Sequence, residues 1–192
     1  MSGYRLTGRT GYNMTFDQSE ALSPHFTLRE LTRSKTAEAQ GLYNIPREVS
    51  EHANLKALAE CVLEPARLLL NAPLIITSGY RCATLNRLIG GARNSQHMLG
   101  EAADFIPRGL KVADAAFTLA ALDTLPFDQL IYEMRERTGK ELQQWVHISH
   151  RRMGGNRREV LTFFRSDNGE QQVAQGIKPL EHFVSEAEHN AA

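Results

Sequence analysis

The stretch from Asn94 to Phe105, NSQHMLGEAADF, places a histidine and an aspartate seven residues apart, with a glycine between them. That spacing is poor for a contact on one helix face, but a loop that turns back into a strand can bring both side chains to one centre. Gly100 would permit the tight return, and the apolar residues around Asp104 indicate a strand. His97 and Asp104 are therefore candidate ligands of one metal ion.

The segment WVHIS offers a third candidate ligand, His147. In a strand, Trp145, His147 and Ser149 share one face, while Val146 and Ile148 can pack against helices on the other face. A catalytic zinc site commonly has three protein ligands drawn from His, Asp, Glu and Cys and keeps one position for water. A His/Asp/His set suits zinc best, although iron and manganese are not excluded.

The elements around these segments alternate between helical and extended patterns. Helices are predicted early in the chain: TLRELTRS with Thr27 as its N-cap, and a long apolar stripe that begins near Pro46 and that Pro65 should kink or divide. Later come the short helix CATLNRL and the amphipathic helix LKVADAAFTLAALDTL. Strands are predicted for APLIITS, AADFI, FDQLIYE, WVHIS and RREVLTFF. This order predicts an α+β fold, with early helices and a small sheet that carries the later motifs.

Composition excludes several classes of function. The 192 residues contain 22 basic and 22 acidic side chains, so no overall field favours nucleic acid or an acidic membrane. No run approaches the ~20 consecutive apolar residues of a membrane span, and the N-terminus lacks the apolar core of a secretory signal. We therefore expect synthesis in the cytoplasm without a signal peptide. Composition also divides the chain into a flexible arm (1–24), one domain (25–165) and a polar tail (166–192).

The motifs together resemble a known family. SQHMLGEAAD matches the SxHxxGxAxD motif of the zinc D-alanyl-D-alanine carboxypeptidases, a family that includes vancomycin-resistance dipeptidases and phage endolysins and is related to hedgehog-like and lysostaphin-type metallopeptidases. SGYR, LNRLIGGARNSQH, FDQLIYE and WVHIS extend the match, and HFTLRELTRS and NIPREV are similar to a phage-associated branch. The resemblance covers about His25 to Ser149. It implies a hedgehog/D-Ala-D-Ala-peptidase-like fold, with a small, mainly antiparallel sheet and helices packed on one side.

The resemblance also implies roles for individual residues. His97, Asp104 and His147 match the metal triad, with Zn²⁺ as the cofactor. Arg81 matches an arginine that binds substrate near the metal, through a carboxylate or the developing oxyanion, and its planar fork suits either task. Ser95 would contact substrate or brace His97, and a simple turn-forming role is an equal alternative.

The general base departs from the family pattern. Many members carry an acid or a histidine three residues before the last metal histidine, where this chain has Gln144, which cannot accept a proton at neutral pH. Glu133, at the end of FDQLIYE, is the proposed substitute, because a neighbouring strand could carry its carboxylate to the metal-bound water. Glu141 and Asp128 are the alternatives.

Four arginines crowd the segment HRRMGGNRRE after the last ligand. Such a run is typical of a solvated hairpin. The alternative is an electrostatic hold on an anionic polymer of the cell envelope, which would depend on salt.

The resulting hypothesis is a zinc peptidase that hydrolyses stem peptides of peptidoglycan, as a D-Ala-D-Ala carboxypeptidase or an L-Ala-D-Glu endopeptidase. It would act as a phage endolysin or a virion-associated lysin, on the cell wall after release or carried in a phage virion. The expected partner is the peptidoglycan peptide, with no nucleic acid, no membrane insertion and a monomeric chain. The alternative is a non-catalytic phage structural or wall-binding module that keeps the fold.

Overall fold

A computed structural model describes residues 5–6 and 14–184. Its strands and helices follow one another in chain order: β1 (Arg5–Leu6), β2 (Met14–Thr15), α1 (Leu28–Thr32), α2 (Lys35–Ala39), α3 (Val49–Leu58), α4 (Glu64–Leu70), β3 (Leu74–Ser78), α5 (Ala83–Leu88), β4 (Ala102–Pro107), α6 (Val112–Ala120), β5 (Gln129–Arg135), β6 (Gln143–Ser149), β7 (Glu159–Arg165) and β8 (Gln171–Gln175). A π-helical turn (Ala59–Leu63) joins α3 to α4, and a 3₁₀ turn (Gln96–Leu99) precedes β4. Within the described residues, no helix is long and apolar enough to cross a membrane.

The α+β class is confirmed, but the expected small, mainly antiparallel sheet is wrong. The sheet has six strands in the order β3-β4-β6-β5-β7-β8 and is mixed, because β7 runs parallel to β5. The parallel pair arises because both edges of β6, the strand before β7, are already occupied. β6 pairs with β4 on one side and with β5 on the other, so β7 cannot pair with β6 and joins the outer edge of β5 instead. The chain reaches that edge across the start of β5, and the parallel direction follows.

Helices cover one face of the sheet. Along β5, Leu130, Tyr132 and Met134 are buried and alternate with partly buried residues, and α6 contacts β4, β5 and β6. Val146 and Ile148 of β6 belong to the same apolar core. The period-two pattern of the strands therefore leaves the opposite face of the sheet to form the wall of a cleft.

The long helical stripe is divided at Pro65, as the sequence predicts. The ring of Pro65 has no N–H to donate, and the chain passes through the π turn before α4 begins. The helix begins at Val49 and not near Pro46. The Glu51 carboxylate accepts hydrogen bonds from the backbone N–H groups of Arg47 and Glu48 there, which fixes the start of the helix.

Both predicted terminal segments contain ordered parts. Phe16 and Leu22, from the stretch taken as an arm, are buried in the core. β8, from the stretch taken as a polar tail, pairs antiparallel with β7, and Phe183 stacks on Phe164 with ring centroids 5.5 Å apart. The remainder of the arm and of the tail lies outside the described residues, and the proposed domain boundaries stay a prediction.

Candidate metal centre and its cleft

The three candidate ligands meet at one buried point. Asp104 on β4 lies directly opposite His147 on β6, and the 3₁₀ turn carries His97 to the same place. The Oδ1 atom of Asp104 is 2.9 Å from Nδ1 of His147 and 3.2 Å from Nε2 of His97. The two histidine nitrogens are 3.2 Å apart. All three residues are buried. The predicted turn from the loop into β4 brings His97 to Asp104, 7 residues away, and the pairing of β4 with β6 brings His147 to Asp104, 43 residues away.

The triangle has the size that a zinc ion requires. Ligand atoms at bonds of about 2.0–2.1 Å to a tetrahedral centre are about 3.3 Å from one another. The three edges here measure 2.9, 3.2 and 3.2 Å. Two imidazole nitrogens and one carboxylate oxygen also form a donor set that zinc favours. The residues present therefore fit the metal.

Neighbouring groups orient two of the ligands. The carbonyl oxygen of Gly79 lies 2.7 Å from Nδ1 of His97, which places the ring proton there and leaves Nε2 to face the centre. Arg81 donates from Nη2 to Oδ2 of Asp104 at 2.6 Å and from Nε to Oγ of Ser78 at 2.8 Å. Oδ1 of Asp104 is thereby left for the metal.

Protonation also favours binding of a cation. Burial lowers the pKa of His97, so the ring is neutral. Burial by itself would raise the pKa of Asp104, but the adjacent His97 and His147 outweigh it and hold the pKa far below its usual value. The site consequently presents a carboxylate with a neutral imidazole, which are the forms that ligate metals.

Two glycines make the local geometry possible. Gly100 has φ +72°, a left-handed conformation, and a Cβ there would lie 2.4 Å from the carbonyl oxygen of Glu51. A Cβ on Gly79 would lie 2.2 Å from the carbonyl oxygen of Leu31. These close backbone contacts therefore require glycine at both positions. The contact at Gly100 fixes the turn after His97, and the contact at Gly79 fixes the carbonyl oxygen that orients the His97 ring.

The ligands lie in the wall of a cavity of about 660 Å³. Arg81 and Ser95 line this cavity, as does Glu133. Glu133 is opposite Trp145 and diagonal to His147 across the β5–β6 pair, a separation that long side chains can bridge. The structure therefore brings all six predicted site residues together, while their roles stay proposals.

Glu133 has the proton affinity of a general base. Burial and the negative charge of Asp104 raise the pKa of Glu133, while His147 and Arg81 lower it, with a result of about 7. A carboxylic acid with a pKa near neutrality can accept a proton and return it within one turnover.

The alternative bases lie elsewhere. The carboxylate of Asp128 is fully buried and accepts from Nε and Nη2 of Arg157 at 3.0 and 2.8 Å and from Gln96 at 2.9 Å. Glu141 is exposed in the β5–β6 connection and does not line the cavity. Gln144 accepts a hydrogen bond from the Tyr132 hydroxyl, on the helix-covered face. The substitution at position 144 therefore does not remove a group from the metal side of the sheet.

The arginine run mostly binds the protein itself. Arg157 and Arg151 contact Asp128, and Arg158 donates to the carbonyl oxygens of Leu122 and Leu125 at 3.0 and 2.6 Å. The side chains of Arg151, Arg157 and Arg158 also keep 42, 46 and 31% of their surface exposed, so they are solvated as well as paired within the protein. Part of the charge that would attract an anionic polymer is neutralised internally.

Sequence reasoning missed two features of this site. The Gly79 carbonyl was not predicted as the partner of His97, because backbone acceptors have no residue signature. Arg135 and Arg165 also line the cavity, and they become neighbours only through the parallel β5–β7 pairing, which no local pattern indicates.

Comparison with known proteins agrees with this geometry. A family model described as Peptidase M15 matches residues 24–149, about two thirds of the chain. No curated protein matches the sequence. The matched range contains the whole His–Asp–His group, Arg81, Ser95 and Glu133, and it indicates a metallopeptidase. The chain belongs to the peptidase M15 family.

Proposed function

We propose that this protein is a zinc-dependent peptidase that hydrolyses stem peptides of peptidoglycan, as a D-Ala-D-Ala carboxypeptidase or an L-Ala-D-Glu endopeptidase. One observation carries the proposal: a buried His97–Asp104–His147 triangle of zinc dimensions opens into a cleft beside a carboxyl group with a raised pKa. The motif resemblance supports peptidoglycan as the substrate. The phage-like N-terminal segments support an endolysin or a virion-associated lysin.

Each residue has a task that follows from its position. His97, Asp104 and His147 would hold the ion, which supplies polarisation of the scissile carbonyl and acidification of a water molecule. Glu133 would take the proton of the attacking water and pass it to the leaving amine. Arg81, fixed by Asp104, uses two of its five N–H donors in the bonds above and can direct others at a substrate oxygen.

Ser95 has a position that suits substrate contact. It precedes the 3₁₀ turn, its carbonyl oxygen accepts from the Met98 N–H at 3.0 Å, and its side chain makes no cap of that turn. We propose that the hydroxyl contacts the peptide at the rim of the cleft.

The test is mass spectrometry of the fragments released from purified peptidoglycan. Zinc-loaded protein is compared with protein stripped by EDTA and with a zinc-loaded Glu133→Gln variant. New stem-peptide fragments from the first sample alone would support the proposal and identify the bond. The absence of fragments from folded, zinc-loaded wild-type protein would refute it and favour the non-catalytic phage or wall-binding module.

A further inference from the structure

The cleft extends well beyond the metal centre along the sheet. Three levels of cleft-facing residues follow the strands: His147 with Ile131, then Trp145 with Glu133 and Phe163, then Arg135 with Arg165. The first and third levels are four residues apart, a separation of about 13 Å along a strand. A substrate that reaches both levels must therefore be an extended peptide and not a dipeptide.

The third level concentrates positive charge. Arg135 and Arg165 are direct register partners on neighbouring parallel strands, and both are partly buried in the cavity wall. In the part of the chain that the structure describes, neither guanidinium has a carboxylate within 4.0 Å, whereas Arg81 has one and Arg157 has two. Burial and the charges of Arg137 and Arg165 hold the pKa of Arg135 below its usual value.

Like charges directly opposite each other on a sheet destabilise it, and an anion bound between them would offset that repulsion. Two guanidinium groups offer flat arrays of N–H donors, which match the two oxygens of a carboxylate. Gln171, opposite Arg165 on β8, adds an amide at the same level, and Phe163 and Trp145 line the path toward the metal. These side chains together form a polar end to a partly apolar channel.

We propose that Arg135 and Arg165 form a subsite for a carboxylate of the peptide substrate, about four residues from the scissile amide. This inference rests on the proposed function, because it assigns a further contact to the same substrate. It favours long peptides over the D-Ala-D-Ala terminus alone, since a terminal dipeptide cannot span the distance.

The experiment measures binding without hydrolysis. Trp145 is the single tryptophan of the chain and lines the cleft, so its fluorescence reports occupancy. Stem peptides are titrated into zinc-loaded Glu133→Gln protein, first with all carboxyl groups free and then with one at a time converted to the carboxamide. The same titrations are made with Arg135→Gln, Arg165→Gln and Arg165→Lys added to that background.

Arg108→Gln is the matched control, because Arg108 is exposed, lies outside the cavity and carries the same charge. Thermal unfolding of each variant shows whether it is folded before its affinity is compared.

The proposal expects one amidation to weaken binding at least about 10-fold, the range of a lost charge-assisted hydrogen bond. Arg135→Gln and Arg165→Gln should each weaken binding of the free-acid peptide by a similar factor. Each should change the affinity for the amidated peptide by less than about 2-fold. Arg165→Lys, which keeps the charge without the fork, should be intermediate.

Three results would overturn the proposal: equal weakening for free and amidated peptides, no effect of either arginine, or an equal effect of Arg108→Gln. Arginine-dependent binding of poly(glycerol phosphate), with no effect of peptide amidation, would also overturn it and assign the pair to a phosphate polymer. If binding depends on the carboxylate and on both arginines, but zinc-loaded wild-type protein releases no peptidoglycan fragments, only the proposed peptidase activity is refuted. Cleavage that is indifferent to amidation and to both arginines would refute only the subsite.

Discussion

Replacement of Glu133 by glutamine should stabilise the metal-free protein at alkaline pH. Glu133 is set in the cleft wall near Asp104, and its pKa rises from an ordinary value of 4.5 to about 7. The folded state therefore binds this proton more tightly than the unfolded state does. The corresponding contribution to stability is fully present below pH 4.5 and is lost as the pH rises through about 7. Glutamine cannot ionise and avoids the loss.

The magnitude follows from that pKa difference. At 1.36 kcal/mol for each unit of pKa, a rise in the pKa from 4.5 to about 7 lowers the free energy of unfolding by about 3 kcal/mol above pH 7. For a chain of this length, about 3 kcal/mol is a change in Tm of roughly 6–12 °C. Asp104 contributes part of the effect through its negative charge, so bound zinc should reduce the advantage of glutamine.

The assay is urea denaturation of wild-type and Glu133→Gln protein in EDTA, at pH 4.5 and at pH 8. The free energy of unfolding of the variant, relative to wild type, should increase by up to about 3 kcal/mol between the two pH values. A second series with zinc should show a smaller increase. The same difference at both pH values would refute the argument that Glu133 is held in a site that disfavours its charge.

Other positions give predictions of a different kind. Gly79→Ala should destabilise the fold by at least about 2 kcal/mol, because the new Cβ would lie 2.2 Å from the Leu31 carbonyl oxygen. It should also weaken zinc binding in competition with a chelator, because the backbone shift displaces the Gly79 carbonyl oxygen that accepts from His97. A correctly folded variant with unchanged zinc affinity would contradict this. His97→Ala should abolish stoichiometric zinc in metal analysis and the zinc-dependent rise in Tm, while the metal-free protein still unfolds cooperatively, at a lower temperature because the Gly79 carbonyl loses its partner; retained zinc would exclude the triangle as the site. Asp128→Asn should cost about 1–2 kcal/mol in urea unfolding at neutral pH, because it removes the buried carboxylate that pairs with Arg157, whose half-exposed side chain keeps Glu159 as a second partner. Burial would raise the pKa of Asp128, but the hydrogen bonds and charge of Arg157 hold it below its usual value, so the cost of the substitution should shrink as acid protonates this carboxyl; a cost that stays constant as the pH falls would contradict the ion-pair explanation.

Part of the metal centre could be predicted from sequence because its geometry is local, whereas the pairing of β4 with β6, which brings His147 opposite Asp104, is not. His97 and Asp104 are joined by one turn and one strand, and the alternation in WVHIS fixes the face of His147. The same alternation carries Glu133 to the cleft face of β5. Period-two reasoning therefore suffices wherever a ligand lies within a regular strand.

The mixed sheet and the far end of the cleft could not be predicted in this way. Strands that follow one another are expected to pair antiparallel. β7 cannot pair with β6, however, because β4 and β5 occupy both edges of β6, and no local pattern in the sequence shows this. β8, with the sequence QQVAQ, has a polar character that conceals an edge strand. Arg135 and Arg165 are 30 residues apart, and only the parallel register makes them neighbours.

The position of β7 and β8 separates two properties of this enzyme family member along its chain. The triangle, its orienting groups and Glu133 all come from residues before position 150, which is also where the family match ends. The outer part of the cleft combines Arg135 of β5 with Phe163, Arg165 and Gln171 from the strands that follow. The candidate metal ligands and most of the outer cleft wall thus come from successive stretches of sequence. Mutation or recombination in the later stretch could therefore alter the outer wall of the cleft while the metal triangle is inherited unchanged.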